Sequence, residues 1–110
     1  MDCLFCGIAA KRIPSKVVYE DDDLLAFEDV RPVAPFHVLV IPKRHVTSLA
    51  EADAGLAGKL AAACARVAAE AGHTERGYRV VTNVGPAAGQ SVPHIHFHVL
   101  AGRGLGWPPG

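Results

Sequence analysis

The stretch His94-Ile95-His96-Phe97-His98-Val99-Leu100 decides how this chain is read. Imidazoles alternate with apolar side chains, the period-2 pattern of a strand with one buried face. Residues two apart on a strand point to the same side, about 7 Å from one another. A strand over 93–100 therefore turns Ile95, Phe97 and Val99 into the core and leaves His94, His96 and His98 as one polar row. Pro93 suits the first position of such a strand, where a missing N–H is tolerated. The segments upstream supply its partners. Val17–Glu20 and Leu24–Glu28 flank Asp21-Asp22-Asp23 and predict a hairpin. His37–Ile41 is almost wholly apolar, as expected of a central strand covered on both faces, and 78–83 reads as a further strand. Leu56, Leu60, Cys64, Val67 and Ala71 recur at threes and fours, one apolar stripe on a helix over 53–71. Gly72 is its stop, and Ser48 with Glu51 forms a capping box ahead of it. Residues 4–11 predict a short helix ended by Ile13-Pro14. The expected fold is α+β: a five-stranded, mostly antiparallel sheet with one long helix and a short N-terminal helix, in a single domain over 1–110.

Composition narrows the function. Eleven basic residues balance eleven acidic ones with no basic run, which argues against a duplex nucleic-acid partner. The start Met1-Asp2-Cys3-Leu4-Phe5-Cys6-Gly7 lacks the basic and long apolar regions of a signal peptide. No apolar run approaches the ~20 residues that span a bilayer. A soluble cytoplasmic protein with no nucleic-acid or membrane partner is expected. A domain this small buries only about two-thirds of its unfolded surface, which favours oligomerisation. Of the three cysteines, Cys64 falls on the helix stripe and reads as core. Cys3-x-x-Cys6 in a reducing compartment favours metal or redox use over a structural disulfide.

Imidazole gains and loses a proton near neutral pH, so the row admits two chemistries. One is a zinc site with histidine ligands. The other is nucleophilic catalysis by one histidine while its neighbours hold phosphate oxygens. The loop Gly85-Pro86-Ala87-Ala88-Gly89-Gln90-Ser91 lies directly before the row. Such a loop can turn backbone N–H groups to an anion, and Ser91 adds a hydroxyl. No Asp or Glu adjoins the row to orient a metal-bound imidazole. Both points favour the nucleophile.

The heptad HIHFHVL resembles the signature of the histidine triad (HIT) superfamily. Ile13-Pro14, Ala26-Phe27-Glu28-Asp29, His37 to Lys43, Asn83, Gly89-Gln90-Ser91 and Trp107-Pro108-Pro109-Gly110 stand where its Hint branch has similar residues. The resemblance implies a purine nucleoside phosphoramidase, a hydrolase that cleaves the P–N bond of nucleoside 5′-phosphoramidates through a nucleotidyl-histidine and releases AMP or GMP. No cofactor is required for that catalysis. The same resemblance implies His96 as nucleophile and His98 as phosphate contact and leaving-group assistant. It implies that His94 and His37 orient the row and that Ser91 hydrogen-bonds near the leaving group. Asp29 would accept from the ribose hydroxyls, with Phe27 and Val30 around base and sugar, and Asn83, Gly89 and Gln90 on the phosphate side. A homodimer forming an extended sheet is implied as well. Two alternatives stay open: a dinucleoside polyphosphate hydrolase of the same superfamily, and a nucleotide-binding regulatory module with negligible turnover. Cys3-x-x-Cys6 departs from many Hint proteins. It resembles another part of the superfamily, in which such a pair joins two histidines around a structural zinc; the matching positions are His45 and His94. Zinc there would make His94 a ligand and leave His96 and His98 as the working pair.

Overall fold

Alternating and helical spacings together build one sheet with a helix on each face. The computed structural model describes residues 3–110. Its elements run α1 (Leu4–Ala9), β1 (Val17–Glu20), β2 (Leu24–Glu28), β3 (Phe36–Pro42), α2 (Ala54–Glu70), β4 (Arg79–Thr82) and β5 (Phe97–Ala101). The five strands lie in the order β1-β2-β3-β5-β4, and every pairing is antiparallel. The last strand in sequence thus inserts between β3 and β4.

The strands β2 and β3 alternate between two cores, and β5 contributes to one of them. Leu24, Ala26, Val38, Val40, Phe97 and Val99 pack against the α2 stripe of Leu56, Leu60, Ala63, Cys64, Val67 and Ala68. Leu25, Phe27, Leu39 and Ile41 pack on the opposite face against Phe5 and Ile8 of α1. Cover on both faces explains the unbroken apolar run of β3. Burial pushes the Cys64 thiol up to about 12, so it is a packing group rather than a nucleophile.

Local signals set the ends. Asp21 Oδ1 accepts from the N–H groups of Asp23 and Leu24, which turns the β1–β2 hairpin. Asp53 caps α2 by accepting from Leu56 N–H. Ser48 caps a separate 3-10 turn, Leu49–Glu51, rather than the long helix, because Ala52 is extended and interrupts the helical path. Gly72, at φ 82°, lets His73 N–H reach back to Ala68 O. Ala71 is exposed at the C-cap, and Ala68 takes the buried position on the stripe. No helix among the described residues is long and apolar enough to cross a membrane.

The histidine stretch needs a correction. The strand begins at Phe97, not at Pro93, so only His98 of the three histidines lies on it. Pairing with β3 stops at Val40↔Phe97 and pairing with β4 at Thr82↔Phe97. Before that point side chains take over the ladder's hydrogen bonds. Pro42 O accepts from His94 Nε2 at 2.8 Å, and His94 O accepts from His96 Nδ1 at 2.8 Å. Ile95 N–H donates to Val46 O at 2.7 Å. The alternation of faces survives the end of the ladder: Ile95 still packs with α2. Nor is the row a wet face, since His94 is 0% and His96 6% exposed.

Candidate active site and metal centre

Neighbouring strands bring His37 and His98 onto the α1 face of the sheet, with Leu39 directly opposite His98. Val33 N–H donates to His37 Nδ1 at 3.1 Å, so the His37 proton sits on Nε2. That nitrogen lies 2.8 Å from His98 Nδ1 and 3.3 Å from Asp29 Oδ2. His98 Nδ1 therefore accepts, and the proton of His98 is on Nε2. Burial, then His96 and His37, hold the His98 pKa down at about 4, with Asp29 opposing. Burial also lowers that of His37, again against Asp29. The Asp29–His37 contact is thus a neutral N–H beside a carboxylate rather than an ion pair.

The same reasoning fixes the other rings. His96 gives its Nδ1 proton to His94 O and keeps a lone pair on Nε2. His94 gives its Nε2 proton to Pro42 O and keeps a lone pair on Nδ1. Phe5 packs edge-on against both, at ring-centre distances of 5.0 Å from His96 and 6.0 Å from His94. Three histidines of one sequence motif therefore carry three different hydrogen-bond assignments.

His96 and His98 open onto a cleft of about 440 Å³. Phe5, Ile8, Phe27 and Leu39 give it an apolar end; Asp29, Ser91 and the two imidazoles give it polar groups. Val30, 91% exposed, lies at its edge. Sequence reasoning does not reach Phe5, Ile8, Ile13, Leu39 and Val92, which also line it; the i, i+3 spacing of Phe5 and Ile8 on a short helix was the one available signal. Asn83, Gly89 and Gln90 are not among the lining residues. The Gln90 amide braces its own loop, accepting from Gly85 N–H and donating to Thr47 O and Val92 O. The N–H groups of Gly89 and Gln90 are likewise spent inside the loop, on Pro86 O and Gly85 O.

A second cluster lies on the other side of His94. Its Nδ1 is 3.3 Å from Cys3 Sγ and 3.5 Å from Cys6 Sγ, and His45 Nδ1 is 3.2 Å from Cys6 Sγ. The four ligand atoms all lie within 4.8 Å of one another. A tetrahedral zinc with Zn–S near 2.3 Å and Zn–N near 2.0 Å needs S···N edges of about 3.5 Å. The donor set and its spacing fit Zn²⁺, and the His94–Pro42 hydrogen bond orients the ring from behind. A second group, Asp29, His37 and His98, is also close enough to gather an ion, but the facing ring nitrogens are engaged with each other. Neither group contains all three triad histidines, so the geometry does not form a three-histidine zinc centre among the described residues.

Residues 10–105 match the family model of the HIT domain. The chain belongs to the HIT family. A HIT family hydrolase from Legionella pneumophila Philadelphia 1 is similar to it with a TM-score of 0.96 and 45% identity, covering 99% of this chain and 100% of that one. A histidine triad nucleotide-binding protein from Candida albicans gives a TM-score of 0.86 at 32% identity, over 97% of this chain and 83% of that one. A 14 kDa zinc-binding protein of Zea mays is 49% identical over 112 residues, covering 97% of this chain and 87% of the relative. The HIT fold therefore extends over nearly the whole chain, the N-terminal cysteine segment included.

Proposed function

We propose that this chain is a nucleotide-binding hydrolase that cleaves the P–N bond of purine nucleoside 5′-phosphoramidates and releases AMP or GMP. The observation that carries the reading is His96: a buried imidazole at the cleft, its Nδ1–H tied to His94 O and its Nε2 lone pair free. In this reading Nε2 attacks phosphorus, the P–N bond to the amine breaks, and the departing nitrogen takes up a proton from water in the open cleft, which the attacking water of the second step gives back. The positive charge left on the His96 ring is stabilised by its Nδ1–H···O bond. Water then cleaves the P–Nε2 bond and restores the imidazole. His98, held neutral with a proton on Nε2, donates a hydrogen bond on the phosphate side. Ser91 stands by the leaving nitrogen, Asp29 by the ribose hydroxyls, and Phe5, Phe27 and Leu39 form the slot for the base. Zinc held by Cys3, Cys6, His45 and His94 would be structural, fixing α1 to the segments that carry His45 and His94. The Legionella hydrolase, the Candida nucleotide-binding protein and the maize zinc-binding protein support these three aspects in turn. The exposed edge strand β4 and the long helix support the homodimer that goes with this reading.

The test is release of AMP from adenosine 5′-phosphoramidate. The wild-type chain is expected to turn over, and His96→Ala to lose at least ~10³-fold in rate. Equal rates in the two proteins, or no AMP from either, would sink the assignment. The same assay on diadenosine polyphosphates is expected to give slower cleavage.

A further inference from the structure

The segment that follows β5 folds back over the loop that leads into β3. Gly102, at φ 92°, makes the bend, and a Cβ there would stand 2.9 Å from Pro35 Cβ. A side chain at this position would be strained and crowded at once. The bend delivers Arg103 to Val33. Its Nε and Nη2 donate to Val33 O at 3.1 and 3.0 Å, and its Nη1 donates to Gly104 O at 2.9 Å. One main-chain oxygen thus receives two charged donors of a rigid fork. Val33 is also the residue whose N–H donates to His37 Nδ1. His37 Nε2 in turn faces Nδ1 of His98, whose ring centre lies 5.1 Å from that of His96. A line of contacts therefore runs from an exposed arginine to the catalytic pair.

We propose that Arg103 is a positioning residue for hydrolysis, acting through Val33 to hold His37 and His98 in the tautomers that the reaction uses. The inference rests on the phosphoramidate reading given above, in which His98 offers an Nε2–H on the phosphate side. A neutral imidazole carries one proton and has two places for it. Across the His37–His98 contact one nitrogen donates and the other accepts, so the two rings change tautomer together. The Val33 N–H decides between the arrangements. While it points at His37 Nδ1, that nitrogen stays bare, and the protons of His37 and His98 are both on Nε2. Once it turns away, the His37 proton passes to Nδ1 by exchange with water. His37 Nε2 is then a bare acceptor, and His98 moves its own proton from Nε2 to Nδ1 to meet it. A lone pair on His98 Nε2 now faces the phosphate oxygens, and each ring still holds one proton. Val33 is 60% exposed, so packing does little to fix its peptide, and the grip on its carbonyl falls to Arg103. Asp29 is held separately: its N–H donates to His37 O and its Oδ1 accepts from Arg31 N–H. Loss of the arginine therefore acts on the imidazoles more than on the ribose contact.

The experiment compares the full chain with Arg103→Ala, Arg103→Lys and, as a control for lost stability, Asp53→Ala at the cap of α2. Nitrogen-15 NMR of the histidine rings reads the tautomers, and turnover of adenosine 5′-phosphoramidate reads their consequence. The wild type is expected to show His98 protonated on Nε2. Arg103→Ala is expected to shift the His37–His98 pair towards the Nδ1-protonated forms and to lower kcat roughly tenfold, with KM changed far less. Arg103→Lys keeps a charged donor without the fork and is expected to restore part of both. Asp53→Ala is expected to leave the His98 tautomer and kcat as they are, at a temperature where it is fully folded. Unchanged tautomers in Arg103→Ala, or an equal loss of kcat in Asp53→Ala, overturn the positioning role while the phosphoramidate reading stands. No AMP from the wild type, with the tautomers still answering to Arg103, overturns the phosphoramidate reading and leaves the hold on His37 and His98 standing.

Discussion

His37 and His98 hold a single proton between facing nitrogens, and this sets how the folded chain responds to acid. Both have pKa values below the ordinary histidine range when folded, that of His98 at about 4. The unfolded chain therefore binds more protons than the folded one below pH ~6.5. Their contribution to stability is complete above that pH and is lost as pH falls towards about 4. Urea midpoints measured between pH 7 and pH 4.5 should decline, and His98→Leu should reduce the slope by about one proton. A slope unchanged by the substitution would show that His98 is not the group responsible. At this scale the sequence was readable where side-chain type alone decides. Alternation placed Ile95, Phe97 and Val99 in the core; the grouping of Cys3, Cys6, His45 and His94 came from the family resemblance, and the four do come together. It was not readable where partners are tertiary. Nothing local announces that the rings of His94 and His96 replace ladder hydrogen bonds, or that the Gln90 amide is committed to Thr47 and Val92.

Among the elements, the capping of α2 was half legible. Sequence reading assigns the capping box to Ser48, whereas the extended Ala52 confines Ser48 to a 3-10 turn and leaves the cap of the long helix to Asp53. Asp53→Ala should cost about 1 kcal/mol in urea denaturation, and Ser48→Ala less, since its helix has only three residues. A larger loss at Ser48 would contradict the assignment. The short helix α1 gives a different test. A Cβ at Gly7 would stand 2.6 Å from Ile13 Cδ1. That methyl is the far end of a flexible side chain, so Gly7→Ala should cost at most about 1 kcal/mol. Ile13 lines the catalytic cleft, and its displacement should weaken AMP binding several-fold. Unaltered AMP affinity would show that Ile13 does not shape the base slot.

For the molecule as a whole, the cysteine cluster joins its N-terminal segment to the sheet. Helix α1 has six residues, well short of the ~12 needed for marginal stability alone. Removing zinc with a chelator should accelerate amide exchange over residues 4–9 while α2 and β3 stay protected. AMP affinity should fall about tenfold as Phe5 and Ile8 leave the cleft, an order-of-magnitude expectation from the apolar area they supply. Exchange unaltered by chelation would rule out a structural metal.

The strand order has a consequence for synthesis. β4 pairs with β5, and β5 fills the space beside β3. A nascent chain that has released everything up to Thr82 carries a fourth strand with nowhere to dock. The long helix, meanwhile, faces a sheet missing Ile95, Phe97 and Val99. Cooperative folding must then wait for the final strand to leave the ribosome, so the imidazoles arrive together with the segment that closes the sheet. A ribosome that stops early therefore yields a chain open to proteases, and a partly made molecule with a working cleft is not formed.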